Sequence, residues 1–352
     1  MILRSLQVIA SPRMGGAETT FLRQVQGLRR AGHPVVAAVR TNSALVEAVG
    51  DAPVRCELSM TNYLDLRSVL AIRRLAKEHH CDVVQSWMSR ATWLTRVPSG
   101  CVHVSRLGGY YHARYFRHAH GWVTVTLGLR EWMLQKGFPA DRVEYIRNFI
   151  PVLPPGTPPP FTRAQLGIPD EALLVVSMGR FIDKKGYQDL IPAFASLGPQ
   201  MHGRPLHLLL MGRGPQQKEL EALAASAPGR VHFPGWVDQP VAALPLADVF
   251  VCPSREEAHG NVMLEAWSQR LPLLSTRTDG GSELVQDGDS GLLCDIGDVS
   301  GMASQLRRLL ESAELREQLA GKGMETQRTR HDETATVSAY LDFYQRLQRR
   351  FA

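Results

Sequence analysis

The sequence predicts an α/β protein built from two doubly wound parallel sheets, and three observations carry that expectation. Short apolar runs of strand length alternate with stretches of helical spacing along most of the chain. Several runs end in glycine turns, as at Gly15-Gly16, Gly108-Gly109 and Gly212 with Gly214. Residues 151–163, PVLPPGTPPPFTR, hold six prolines in thirteen positions, so they read as a stiff extended linker between two such series. A chain of 352 residues has room for two domains, each with its own core.

In the first series, the opening ten residues form an apolar run typical of a buried parallel strand. They lead through SPRMGGAE into a helical pattern from Thr20 to Ala31 that stops at Gly32. Gly15-Gly16 lets the backbone approach a ligand or a second domain closely, or simply makes a tight turn. PVVAAVR (34–40) is a second strand. A helix over Leu66–His79, with apolar positions at Leu66, Val69, Leu70, Ile72, Leu75 and Ala76, precedes a third strand, CDVVQSW (81–87). VHVSRLGGYY (102–111) and GWVTVT (121–126) are the fourth and fifth.

Beyond the linker, LLVVSMGR (173–180) is a strand followed by the loop FIDKKGYQ and a helix over Asp189–Leu197. LHLLLMGRGP (206–215), VHFPGW (231–236), ADVFVCPS (247–254) and LPLLST (271–276) continue the second sheet. Asp332–Arg349 has helical spacing and is a candidate for a terminal helix returning to the first domain. The expected domains are therefore residues 1–155, residues 165–331, and a terminal helix over 332–352.

Composition narrows the class. No stretch approaches the roughly 18 uninterrupted apolar residues of a membrane span, and the opening MILRSLQVIA is too short for a secretory signal. The expected location is cytoplasmic. Five scattered cysteines, Cys56, Cys81, Cys101, Cys252 and Cys294, without C-x-x-C pairing, read as reduced core residues and not as zinc ligands. Charge is uneven. Residues 1–150 carry 20 Lys and Arg, 18 of them Arg, against 10 Asp and Glu, while residues 151–352 carry 20 against 24. The basic half is either a solvated surface or a patch steered toward an anionic partner, such as the inner face of a membrane or a phosphate-bearing acceptor. Nucleic acid matches the charge and nothing else.

The chemistry concentrates in residues 253–286, PSREEAHGNVMLEAWSQRLPLLSTRTDGGSELVQ. A Pro-Ser turn ends the strand over Ala247–Cys252, and a helix begins near Gly260 or Asn261. In an open parallel sheet, this carboxyl end of a strand is where ligands bind. The backbone amides of His259, Gly260, Asn261 and Val262 at the helix start favour an anion such as a diphosphate. Glu257 in the loop and Glu265 inside the helix can each accept hydrogen bonds from vicinal hydroxyls. Phosphate on amides and hydroxyls on acids together suit a nucleotide sugar.

These motifs occur in an order that resembles the retaining glycosyltransferases of family 4, which have the GT-B fold of two facing Rossmann-like domains with a cleft between them. Across most of residues 170–300 the resemblance rests on Gly179-Arg180, Lys185-Gly186, Met211-Gly212 with Gly214-Pro215, Phe233 and Gly235, and Asp248 to Ser254. It continues through Glu257, Gly260-Asn261, Glu265-Ala266, Gly280, Glu283-Leu284, Asp287-Gly288 and Gly291-Leu292. In the first half, Gly15-Gly16-Ala17-Glu18 and Arg147-Asn148-Phe149-Ile150 also match.

The resemblance implies roles. Arg180 and Lys185, next to Gly179, hold the donor diphosphate and stabilise the charge that grows on it as the glycosidic bond breaks. Glu265 binds the ribose, Glu257 the transferred sugar, and Gly15-Gly16 approaches the diphosphate from the facing domain. The base contact, near Phe233–Trp236, does not fix the base, and uracil is favoured on family frequency. No Asp-x-Asp motif is present, so no metal and no cofactor are expected. Retention of configuration is explained in this family by front-face attack without a protein nucleophile.

Two departures stand out. Where many members carry a His at the end of a first-domain strand, this chain has Arg106, with His103 within the strand and His112 six positions on. Arg106 or the Gly108-Gly109 turn is the candidate for that local role, with His103 a packed strand residue and His112 a surface one. Trp87, at the end of its strand, either shapes the acceptor cleft or packs. The expected activity is transfer of a hexose or N-acetylhexosamine from a UDP-sugar to a glycolipid or polysaccharide of the bacterial envelope. The basic half would offer peripheral contact to an anionic inner-membrane surface. A sugar-nucleotide epimerase of the same fold, or a catalytically weak nucleotide-sugar-binding protein, is the alternative.

Overall fold

The computed structural model describes residues 2–49, 54–151, 153–154 and 156–352. The opening apolar run includes Met1, and the proline-rich stretch includes Val152 and Pro155; these three lie outside the described residues. The chain divides into two compact units, Met1–Pro151 with His331–Ala352, and Val152–Arg330.

Unit 1 holds a seven-stranded sheet of β1 (Ser5–Ile9), β2 (Val35–Arg40), β3 (Val54–Leu58), β4 (Val83–Trp87), β5 (Val102–Leu107), β6 (Gly121–Thr124) and β7 (Val143–Tyr145), in the order β3-β2-β1-β4-β5-β6-β7. Every pairing is parallel, with Ser5 opposite both Val35 and Val83. The sequence reading missed β3 and β7 for one reason. Both lie at sheet edges, and β3, VRCEL, alternates half-buried and exposed residues instead of forming an apolar run.

The helices of unit 1 are α1 (Gly16–Arg30), α2 (Leu45–Ala48), α3 (Leu66–Glu78), α4 (Met88–Leu94) and α5 (Leu127–Gln135). Helix α1 starts four residues before Thr20, because Gly15 takes an extended N-cap conformation and Glu18 sits in the first turn, where the helix dipole favours an acid.

Unit 2 repeats the plan with β8 (Leu173–Met178), β9 (Gln200–Met201), β10 (Arg204–Met211), β11 (Val231–Gly235), β12 (Val249–Cys252), β13 (Leu273–Thr276) and β14 (Leu292–Cys294). The parallel order is β11-β10-β8-β12-β13-β14, and β9 pairs antiparallel with β10. Its helices are α6 (Tyr187–Ala195), α7 (Gln217–Leu223), α8 (Asn261–Ser268), α9 (Asp279–Leu284), α10 (Val299–Glu311) and α11 (Ala313–Arg330). Leu190, Ile191 and Phe194 of α6 and Leu306, Leu309 and Leu310 of α10 share one core with Val175, Leu208 and Val251 of the sheet.

The last helix, α12 (Glu333–Phe351), belongs to unit 1. Asp332 caps it by accepting from the Ala335 amide at 2.7 Å. Its buried stripe, Thr336, Val337, Tyr340, Phe343, Tyr344 and Leu347, follows helical spacing and joins the core formed by β1, β2, β4 and β5. Two glycines make room for it. A Cβ on Gly27 of α1 would lie 2.9 Å from Val337, and one on Gly121 of β6 would lie 2.4 Å from Leu347. The Tyr344 hydroxyl donates to Gln85 Oε1 at 2.5 Å and Trp87 Nε1 donates to Gln7 Oε1 at 3.0 Å, so a polar seam runs through an apolar core with Gln85 Nε2 as its one unpaired group among these atoms.

Among the described residues no helix is long and apolar enough to cross a membrane. Tyr344→Phe leaves the buried Gln85 acceptor unpaired. Urea unfolding of unit 1 is expected to show a loss of about 1–3 kcal/mol.

Candidate active site

In each sheet the strand order reverses at one place, and there two neighbouring strands send their connections to opposite sides, leaving a crevice at their carboxyl ends. In unit 2 that place is between β8 and β12. The connections leaving these strands, residues 179–186 and 253–260, carry most of the donor-site residues named from the sequence.

The two loops touch backbone to backbone. Gly186 has φ +68°, and a Cβ there would sit 1.8 Å from the Pro253 carbonyl oxygen, so only glycine fits. The Arg255 and Glu256 amides both donate to the Lys184 carbonyl, at 2.8 and 3.1 Å. The Arg255 guanidinium adds a bidentate pair with Asp189 at 2.8 and 2.7 Å and a contact to Asp183 at 3.0 Å. Lys184 also pairs with Glu256 at the surface.

This clamp brings Lys185 and Glu257 together, with Nζ donating to Oε2 at 2.5 Å. The same oxygen accepts from Ser254 Oγ at 3.4 Å. Burial works against the charge on Lys185, but the Glu257 carboxylate, and Glu265 beyond it, outweigh burial and hold its pKa above the ordinary lysine value. Lys185 therefore stays cationic. Arg180, at the head of the same loop, is exposed, and its guanidinium has no partner among the described residues.

Glu257 and His259 are fixed from the other side by α9. The Gly280 amide donates to the Glu257 carbonyl at 2.8 Å, and Thr278 caps the helix by accepting from Gly281. Gly260, at φ +85°, is the N-cap of α8, and no side chain caps that end. Asn261 and Val262 open the helix, and Glu265 is nearly buried one turn in. One unpaired and one paired cation beside a helix start can receive an anion, and the two carboxylates can accept hydrogen bonds from hydroxyls.

The sequence reading left Ser254, the Arg255 clamp and the Gly280 brace without roles. Gly280 had a signal, since it stood in the ordered motif set. The Arg255–Asp189 pair spans 66 positions and had none.

In unit 1 the strand order reverses between β1 and β4. Gly15 and Gly16 lie at this edge, where α1 begins. Gly15 has φ −174°, an extended value open to any residue, so its small side chain and not its conformation is what distinguishes it. The same edge carries a cavity of 330 Å³ lined by Pro12, Arg40, Thr41, Asn42, Ser59 and Thr61.

Arg106 is not at the surface. It is 2% exposed, with its guanidinium 4.3 Å from the centre of the Trp87 ring and Nη2 donating to Asn148 Oδ1 at 2.5 Å. A guanidinium engaged in this way braces the ends of β4 and β5, and a direct contact with substrate is corrected to this positioning role. Trp87 is fully buried, edge-on to Phe21 at 5.5 Å, so it packs and does not line a cleft. His112 is exposed beside Tyr115.

His103 is 1% exposed, with Nε2 2.8 Å from Ser86 Oγ, and its backbone amide donates to His120 Nδ1 at 2.8 Å. Burial first, then His118, His120 and Arg96, holds it well below the ordinary imidazole value; burial likewise lowers His118 and His120.

Comparison with known proteins identifies the family. The family model described as Glycosyltransferase Family 4 matches residues 14–152, and the one described as Glycosyl transferases group 1 matches residues 160–326. The lipopolysaccharide core biosynthesis glycosyltransferase LpsE of Rhizobium meliloti is 34% identical over 332 residues, covering 93% of this chain and 95% of that protein. The chain belongs to the family 4 glycosyltransferases. A second relative in this enzyme family, LpsD of the same organism, is 32% identical over 337 residues, covering 94% of this chain and 95% of its own. The crystal structure of Anabaena HepE in complex with UDP and glucose superposes with a TM-score of 0.81 at 18% identity, covering 98% of this chain and all of that one, 100%. The glycosyltransferase thus has the GT-B class of fold, two Rossmann-like domains with parallel sheets.

Two outcomes test the site. Gly186→Ala forces the loop off the Pro253 carbonyl and imposes a left-handed alanine, so urea unfolding of unit 2 should lose roughly 2–4 kcal/mol. For the histidines the sign follows from their lowered values. The folded chain keeps them neutral while the unfolded chain takes up protons below about pH 6.5, so stability falls as pH drops through that value. The thermal midpoint should be lower at pH 5.5 than at pH 7.5, and His103→Gln should shrink the difference.

Proposed function

We propose that this glycosyltransferase is a retaining, metal-independent enzyme that moves a hexose or N-acetylhexosamine from a UDP-sugar to a glycolipid or polysaccharide of the bacterial envelope. A lipopolysaccharide core acceptor is favoured. The observation that carries the donor half is the clamp at the β8/β12 crevice, where Lys185 and Glu257 are paired beside the unpaired Arg180. The names of LpsE and LpsD support the acceptor class, and the UDP and glucose bound by HepE support the donor.

In this reading Arg180 and Lys185 bind the diphosphate, aided by the amides of His259, Gly260, Asn261 and Val262, and Glu265 takes the ribose hydroxyls. Glu257 divides its carboxylate between Lys185 and hydroxyls of the sugar, which orients the ring against the phosphate that leaves. As the bond from the anomeric carbon to the phosphate oxygen breaks, negative charge collects on the diphosphate, and the cations stabilise it more than the ground state. The acceptor oxygen bonds to the anomeric carbon from the same face, and its proton passes to the departing phosphate oxygen. No metal is needed to hold the diphosphate in this scheme. On the acceptor side, Arg40 and the hydroxyls of Thr41 and Thr61 suit an acidic sugar in the unit 1 cavity.

Calorimetric titration with UDP tests the reading. Glu265→Ala should weaken binding at least about tenfold, the cost of a charged hydrogen bond, about 1.5–3 kcal/mol. Arg180→Gln should weaken UDP much more than uridine, and a chelator should change neither. Unchanged affinity in Glu265→Ala would sink the assignment of the site.

A further inference from the structure

The structure divides the apolar positions of α3 between two faces. Ile72, Leu75 and Ala76 enter the core beside Leu6, Val8, Val36 and Val84, with Val69 packed against them. Leu66 and Leu70 face outward at 72% and 69% exposure, and Leu64, just before the helix, is 85% exposed. A single exposed leucine is ordinary, but three within seven residues, at the start of α3 and just before it, form a second apolar face with no core to meet.

The surroundings of that face are cationic. Arg67, Arg73 and Lys77 are exposed and make no ion pair among the described residues. Arg74 pairs with Glu78 at 3.4 Å, which neutralises the one acid on the helix. A second copy of the chain would bring these cations against one another, at a cost. A bilayer rich in anionic headgroups satisfies both features, because leucines enter the acyl boundary while arginine and lysine stems reach back to the phosphates.

We propose that the outer face of α3, with Leu64, Leu66 and Leu70 as its apolar points and Arg67, Arg73 and Lys77 around them, docks the enzyme on an anionic lipid bilayer. This builds on the reading of a lipid-linked acceptor, which such docking would bring within reach. The association is reversible, since one short helix buries little apolar surface.

Sedimentation of the full chain with vesicles, without donor or acceptor, provides the test. Binding is expected to vesicles of phosphatidylglycerol and phosphatidylethanolamine and not to phosphatidylcholine alone, and it should weaken as salt rises. The triple change Leu64→Ser, Leu66→Ser, Leu70→Ser should lower partitioning at least about tenfold. Arg67→Gln, Arg73→Gln and Lys77→Gln together should lower it roughly a hundredfold at low salt, about fivefold for each cation. Both variants should titrate with UDP as the parent does. Failure of the parent to bind anionic vesicles, or unchanged binding of the leucine variant, overturns the proposal. So does self-association of the parent that the leucine variant loses, which would make the face a protein interface. Normal vesicle binding with no UDP affinity would overturn the donor reading and leave this one standing.

Discussion

The candidate site of this glycosyltransferase depends on a steric constraint: the backbone at Gly186 lies so close to the Pro253 carbonyl that a methyl group has no room. Contact at that distance fixes the height of one loop on the other. The Arg255 pair with Asp189 and the amides that converge on the Lys184 carbonyl then hold the contact in register. Lys185 meets Glu257 as a consequence, across 72 positions of sequence. A looser join would leave two flexible charged side chains at a protein surface, where such a pair contributes little.

Unit 1 solves a different problem with similar means. Its sheet is covered on one face by a helix from the far end of the chain, and small residues at Gly27 and Gly121 let that helix come down onto the strands. Arg106 shows what the close packing does to function. At the end of its strand, where the resemblance led to the expectation of a substrate contact, this chain buries a cation between Trp87 and Asn148, where it braces strand ends.

Electrostatic character is divided between the halves. The first is strongly basic and the second mildly acidic, yet the proposed site for an anionic donor diphosphate lies in the second. Local geometry resolves this, since a helix start and two positioned cations act over a few ångströms where net charge matters little. The excess of the first half acts at longer range, and α3 shows how part of it is arranged around exposed leucines.

Much of the fold was legible in the chain itself. Central strands such as LLVVSM and VVQSW are mostly apolar and buried throughout because both faces of a parallel sheet are covered, and the proline-rich stretch marks the change of unit. The spacing of Gly179, Lys185, Glu257, Gly260 and Glu265 along strand ends and helix starts also pointed to the loops that meet at the β8/β12 crevice, because turn and cap chemistry is local. The edge strands β3 and β7 were hidden, since a strand covered on one side loses its apolar run. The tertiary structure alone decided that Leu66 and Leu70 face outward, that Arg106 and Trp87 are buried, and that Arg255 clamps the site. Periodicity tells which residues of an element share a face, but whether that face meets a core, a ligand or water depends on neighbours distant in sequence.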